Sequence, residues 1–193
     1  MKIENEITVL VTSSFKKLHQ DLIKSGFVVK DKYIANDIYM INKDIDLSNL
    51  STLDILKKCA IVREITGIKK VLLYKYKEYD DKGNILVNGK IECPIIDISK
   101  AISFMEAINY QKLIEIHDKC TEYANSEIEL IVQEVNNKYI FFEAEDELRY
   151  TKKKFRSTDE IIETINKYKL PYKKDNYFVK KAEIILNEKL KRN

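Results

Sequence analysis

At 193 residues, 45% apolar and 34% charged, the chain is long enough to bury a full core without disulfides, and a single domain over 1–193 is expected. Its three cysteines, Cys59, Cys93 and Cys120, are widely spaced without a C-x-x-C, which argues against a disulfide framework or a cysteine zinc site. The net charge of +3 conceals a basic end: residues 149–193 carry 14 Lys/Arg against 6 Asp/Glu, a pattern that more simply reads as the wet face of terminal helices than as a nucleic-acid surface.

The chain opens "IENEITVLV", a strand that carries Glu4 and Glu6 on one face and apolar residues on the other. "SSFKKLHQDLIKSGF" follows as a helix with a serine cap, an apolar stripe at Phe15, Leu18 and Leu22, and Gly26 at its end. "KYIANDIYMI" reads as a strand, "LSNLSTLDILKK" as a short helix and "CAIVREI" as a third strand. "KKVLLYKYKEY" and "NILVNGKIECPI" flank "DDKG", a hairpin pattern.

"DISKAISFMEAINY" is a second long helix, and "KLIEIHDKCTEY", "SEIELIVQEV" and "YIFFEAE" are the last three strands. "STDEIIETINKYK" begins with a capping box, Ser157 and Glu160, and Pro171 blocks its extension. "NYFVKKAEIILNEKL" closes the chain as a helix. Eight strands, mostly in adjacent hairpins with helices inserted, indicate an α+β protein around an antiparallel sheet or barrel. The strands occupy about 1–148 and the C-terminal helices about 157–193. There is no basic-then-apolar leader and no apolar run near the roughly 18 residues a membrane helix needs, so a cytoplasmic protein is expected.

Charge recurs at period two inside these apolar strands: Glu4 with Glu6, Lys75 with Lys77, Lys90 with Glu92, Glu127 with Glu129, and Glu143 with Glu145. On an open sheet that face would be the solvated one. In a closed barrel covered by helices it would line the inside. Paired carboxylates suit Mg²⁺ or Mn²⁺, and Lys and Arg neutralise phosphate oxygens, so such a lining suits a metal-bound polyphosphate. Gly-rich phosphate loops and dinucleotide fingerprints are absent. His19 and His117 have no identifiable Cys or Ser partner and read as structural or surface residues.

The ordered set of motifs resembles the CYTH family, the triphosphate tunnel metalloenzymes, which include class IV adenylyl cyclases, thiamine triphosphatases and inorganic triphosphatases. "ENEIT" resembles the opening E-x-E-x-K strand, "NDIY" the D-x-Y strand, "IVR" the R-I-R, "LLYK" the L-T-x-K, "KIE" the R-x-E and "FFEAE" the closing F-x-E-x-E. The resemblance implies an eight-stranded antiparallel closed β-barrel, a tunnel with helices packed outside, binding a small-molecule triphosphate or other polyanion with Mg or Mn. It implies Glu4, Glu6, Glu143 and Glu145 as metal ligands, and Arg63, Lys75, Lys77 and Lys90 as phosphate-binding residues. Glu92 and Lys75 would be the catalytic pair.

The departures are Thr8 for the Lys of the first motif, Ile61 for the first Arg of R-I-R, and Asp118 and Cys120 where the sixth strand carries K-x-R. A one-residue shift there would bring in Lys119, and Gln133 stands where the seventh strand carries Asp. Three readings follow: a metal-dependent triphosphate hydrolase or cyclase; a CYTH-fold module that binds a nucleotide, polyphosphate or other anion without turnover; or a domain whose alternating charges face solvent, with its function elsewhere. Nucleic acid and membrane are not expected partners, and oligomeric state is not legible.

Overall fold

A computed structural model describes residues 5–79, 85–146, 148–151 and 153–191, without the side chains of 77–79 and 85–88. Eight strands and five helices alternate along it: β1 (Glu6–Leu10), α1 (Phe15–Lys24), β2 (Val28–Asn42), α2 (Thr52–Lys57), β3 (Ala60–Ile65), β4 (Lys69–Tyr79), β5 (Ile85–Pro94), α3 (Ile98–Ala107), β6 (Tyr110–Ala124), β7 (Glu129–Val135), β8 (Tyr139–Glu145), α4 (Thr158–Asn166) and α5 (Lys181–Lys191). The strand order is β1-β8-β7-β6-β2-β3-β4-β5. The ladders β1–β8, β8–β7, β7–β6, β2–β3, β3–β4 and β4–β5 are antiparallel. The "DDKG" turn expected between β4 and β5 lies outside the described residues.

Local chemistry sets the helix starts. Ser14, Ser51, Asp97 and Ser157 each cap a helix with a side-chain oxygen accepting a backbone N–H three residues on. At α4 the reciprocal carboxylate of Glu160 bonds the N–H of Arg156, one residue ahead of the cap. Gly26 ends α1 at φ +83°, in the left-handed region where a Cβ is strained. β2 and β6 run further than the sequence pattern indicates, 15 residues each. β7 starts later, at Glu129, so Glu127 falls in the preceding turn and accepts a hydrogen bond from the Tyr168 hydroxyl at 3.0 Å. The expected same-face pair Glu127/Glu129 is therefore not a strand pair.

The residues gather into two compact units. Of the described residues, unit 1 holds those within 34–117 and 180–191, and unit 2 those within 5–33 and 118–179. In unit 2 one face of β1, β6, β7 and β8 is apolar: Ile7, Val9, Tyr123, Leu130, Val132, Phe142 and Ala144 pack on Leu18 and Leu22 of α1 and Ile161 and Ile165 of α4. In unit 1 Met40 and Val62 pack on Met105 of α3. On the opposite face of the same strands, Ile61, Val71 and Leu73 pack with Tyr39. Each unit thus packs helix against one strand face, and the opposite face carries Asp37 and Arg63 in unit 1 and Glu6, Glu143 and Glu145 in unit 2.

The resemblance implies a closed barrel, whereas in the described residues the order ends at β1 and β5 with no ladder joining them. A physical reason lies on the second edge of β1, which the segment 171–179 occupies. Thr8 N–H donates to the Tyr177 carbonyl at 3.0 Å, Val179 N–H to the Thr8 carbonyl at 3.0 Å, Lys173 N–H to the Leu10 carbonyl at 2.9 Å, and Thr12 N–H to the Pro171 carbonyl at 2.8 Å. An edge so covered offers no donors or acceptors to another strand.

Candidate functional site

In unit 1 the strand register sets Asp37 opposite Arg63 and Lys75 opposite Lys90. Alternation places Asp37, Arg63, Lys75, Lys90 and Glu92 on one face, with Ile61 and Leu73 between them. Asp37 is buried, and Arg63 grips it side-on: Nε donates to Oδ1 at 2.5 Å and Nη2 to Oδ2. Burial alone would raise the Asp37 carboxyl, but the Arg63 hydrogen bonds and charge, aided by Lys75 and Lys181, hold it below the usual carboxylate range. Lys181 comes from α5, which is anchored by Thr52 Oγ1 donating to Asn187 Oδ1 at 2.6 Å and by Lys189 Nζ on the Leu113 carbonyl at 2.5 Å.

Glu92, expected beside Lys90, is held chiefly by Lys69, whose Nζ lies 3.1 and 3.0 Å from its two oxygens; Lys90 Nζ stands at 3.7 Å. Burial pushes the Glu92 carboxyl up, and the Lys69 hydrogen bond with the Lys69, Lys90 and Arg63 charges outweighs it, so the group stays ionised. Lys69 shares the parity of Lys75 and could have been found by extending that alternation back to the start of β4. Lys77 shares the parity of Lys75, and its side chain lies outside the described residues.

In unit 2 the charged face is acidic. The register pairs Glu6 with Glu145 and Thr8 with Glu143, so Glu6, Glu143 and Glu145 share a face. Glu4 lies outside the described residues. Thr8 is buried, with its hydroxyl 3.5 Å from Glu6 Oε1, and Gln133 Nε2 donates to Glu143 Oε2 at 2.8 Å. Asp118 and Cys120 are buried on the face of Glu143, whereas Lys119 has the parity of Tyr123 on the other face, where its own side chain is exposed and bonds Asn137 Oδ1 at 2.9 Å. The one-residue shift is thereby excluded.

Two further carboxylates join this face. Glu122, only 4% exposed, and Glu129 line a pocket of about 60 Å³ together with Glu143, Glu145, Arg149 and Tyr150. Neither Glu122 nor Arg149 stands out in the sequence. Glu122 shares the parity of Asp118 and Cys120 and could have been found by extending that alternation; Arg149 stands in a segment without periodicity. Tyr33 is pushed far above the usual phenol range by burial, with Cys120, Glu122 and Glu143 adding to it.

The donors on this face are carboxylate oxygens, which suit a hard divalent cation. Among the described residues no three acidic, His or Cys groups converge as a ready metal site. Mg²⁺ commonly takes only one or two carboxylates, completing its shell with water and substrate phosphate, so the donor set fits that ion. Each histidine ring has a polar neighbour: His19 Nδ1 lies 2.7 Å from the Tyr123 hydroxyl, and His117 Nδ1 lies 2.5 Å from Asn36 Oδ1.

No family model and no curated protein matches the sequence. Solved structures do match the fold. PH1819 from Pyrococcus horikoshii OT3 aligns over 96% of this chain and 99% of its own, with TM-score 0.64 and 17% identity. A proposed adenylate cyclase from Vibrio parahaemolyticus aligns over 96% and 98%, with TM-score 0.62 and 11% identity. HpAC1 from Hippeastrum, a proposed adenylyl cyclase with a dominant triphosphatase activity, aligns over 97% and 96%, with TM-score 0.61 and 13% identity.

The chain has the CYTH fold. At these identities the likeness concerns the fold, and it extends over nearly the whole chain. Within the CYTH fold the departures from the motifs are now physical: Ile61 is buried against Tyr39 and Leu73, and Cys120 is buried in the wall of unit 2. No described helix is long and apolar enough to cross a membrane.

Proposed function

We propose that the protein binds a small-molecule triphosphate as its Mg²⁺ or Mn²⁺ complex and breaks a phosphoanhydride bond, by hydrolysis or by cyclisation of a nucleotide. One observation carries the reading: Glu6, Glu143 and Glu145 share the face of unit 2 that is not packed on helices. The full-length likeness to HpAC1, described as having a dominant triphosphatase activity, supports it.

Glu4, Glu6, Glu143 and Glu145 would hold the cation. Bound there, it would neutralise charge that accumulates on the leaving phosphate. Arg63, Lys75, Lys77 and Lys90 take phosphate oxygens, and Asp37 fixes the plane of the Arg63 guanidinium through Nε and Nη2. Lys75 stabilises charge on the transferred group. Glu92, kept ionised by Lys69, accepts a proton from the attacking water or hydroxyl.

A second reading, binding without turnover, is favoured by the burial of Ile61 and Cys120 at positions that are basic in the family's motifs. Each missing charge-assisted hydrogen bond weakens phosphate binding by about 1–3 kcal/mol.

The test is a panel of inorganic tripolyphosphate, ATP and thiamine triphosphate with Mg²⁺ or Mn²⁺, following melting temperature, released phosphate and cyclic nucleotide. Stabilisation by metal and triphosphate together, with phosphate or cyclic nucleotide released, is expected. Stabilisation without product selects the binding module. No stabilisation by any triphosphate overturns both.

A further inference from the structure

The strand face of unit 2 carries four carboxylates around one small pocket, and part of that pocket's wall comes from residues 148–151, just after β8. This short stretch belongs to no helix or strand. It is fastened by five hydrogen bonds to two of the four carboxylates. Glu129 accepts three successive backbone N–H groups: Arg149 on Oε2 at 2.7 Å, and Tyr150 and Thr151 on Oε1 at 2.5 and 2.6 Å. Glu122 accepts Arg149 Nη1 on Oε1 at 3.3 Å and the Tyr150 hydroxyl on Oε2 at 2.9 Å.

Charge, more than apolar packing, makes the attachment. Leu148 packs partly on the core, but the Arg149 side chain is 70% exposed and Tyr150 is exposed. The Tyr150 ring also receives Lys30 Nζ at 5.7 Å from its centroid. Hydrogen bonds to a carboxylate are roughly twice as strong as neutral ones, so the anchorage depends on Glu122 and Glu129 staying available. A carboxylate oxygen has two lone-pair sites, and Glu129 Oε1 has given both to the amides of Tyr150 and Thr151.

The pocket leaves room for a few waters at most, since one water needs about 10–15 Å³ of such volume. A divalent cation entering it meets the Arg149 guanidinium as a like charge, and finds Glu122 and Glu129 already engaged. We propose that the 148–151 strap is an internal cation of this face. It neutralises Glu122 and Glu129 while the face is metal-free, and a divalent cation displaces it. The inference rests on the reading that this face takes Mg²⁺ or Mn²⁺, and it adds regulation of that site: metal loading and strap docking exclude one another.

Amide hydrogen exchange of the full chain, with Mg²⁺ alone as the probe, tests this alongside Mg²⁺ titrations of wild type and Arg149→Gln. Arg149 is a surface side chain, so the variant leaves the core intact. Mg²⁺ should accelerate exchange of the amides of 149–151 at least tenfold, and Arg149→Gln should bind Mg²⁺ about tenfold more tightly. Glu129→Gln should raise exchange of the same amides without metal. If Mg²⁺ binds and those amides stay protected, or if Arg149→Gln binds no more tightly, the strap inference fails and the metal reading stands. Failure of both proteins to bind Mg²⁺ would overturn the metal reading and the strap with it.

Discussion

Asp37 and Arg63 stand directly opposite one another on β2 and β3, and the guanidinium closes on the carboxylate through two nitrogens at once. The pair lies on the charged face of unit 1, with Asp37 buried and Arg63 partly exposed. Its consequence is orientation. An arginine held at Nε and Nη2 has a fixed plane, so little side-chain freedom is left to lose when it meets an anion.

Removing one partner of such a pair leaves the other charge poorly solvated, which costs about 3–5 kcal/mol when both are buried. Arg63→Ala should approach that range, because Asp37 is the buried member. Asp37→Asn should cost less and should also loosen tripolyphosphate binding through misorientation of Arg63. The sign of the pH effect follows from the Asp37 carboxyl lying below its unfolded value. Stability from the pair is present above about pH 4, and it is lost as pH falls through the lower folded value. Urea titrations from pH 3 to 7 should show wild type losing stability at the acid end more steeply than Asp37→Asn; parallel profiles would refute the assignment.

On the β4–β5 hairpin, Tyr76 lies across Gly89, its register partner. A Cβ at position 89 would sit 2.0 Å from the ring carbon Cζ of Tyr76. Gly89→Ala must therefore push the ring aside, at a cost of about 1–3 kcal/mol for such overpacking. The double variant Tyr76→Ala/Gly89→Ala removes the clash. Chemical denaturation should give a positive coupling between the two substitutions, and additive effects would mean that the ring does not cover the glycine in solution.

Where periodicity governs, the sequence was legible. The alternation of β1 and β8 places Glu6, Glu143 and Glu145 on one face, and the capping residues Ser14 and Ser157 mark helix starts. The parts that escaped are held by long-range hydrogen bonds from irregular chain. Arg149 reaches Glu122 across 27 positions, and 171–179 covers β1 by backbone bonds that any residues could make. Pro171 was legible as the stop of a helix, yet nothing in it announces a carbonyl for Thr12. Glu127 shows the converse error: two carboxylates at strand spacing, one of which belongs to a turn built on Asn125.

The cysteines provide a check on burial. Cys59 and Cys120 are buried and Cys93 is exposed, and burial pushes the Cys59 thiol up to about 12. A thiolate is the reactive form, so Cys59 is slow on two counts. A thiol reagent at pH 8 should modify one cysteine rapidly in the folded protein and the other two only after denaturation. Cys93→Ser should abolish the rapid phase; survival of that phase would show that unit 1 or unit 2 opens near Cys59 or Cys120.

The register also sets two carboxylates, Glu6 and Glu145, directly opposite on neighbouring antiparallel strands. In the proposed site a divalent cation would sit against both. Glu145→Gln should therefore erase most of the stabilisation that Mg²⁺ and tripolyphosphate confer on wild type, because a ligand of the metal is gone. A solvated strand face would leave that stabilisation unchanged, since a surface carboxylate contributes nothing to ligand-linked stability. Melting curves of wild type and Glu145→Gln, each with chelator and with Mg²⁺ plus tripolyphosphate, separate the two cases: equal ligand-induced shifts in both proteins would remove Glu145 from the metal site.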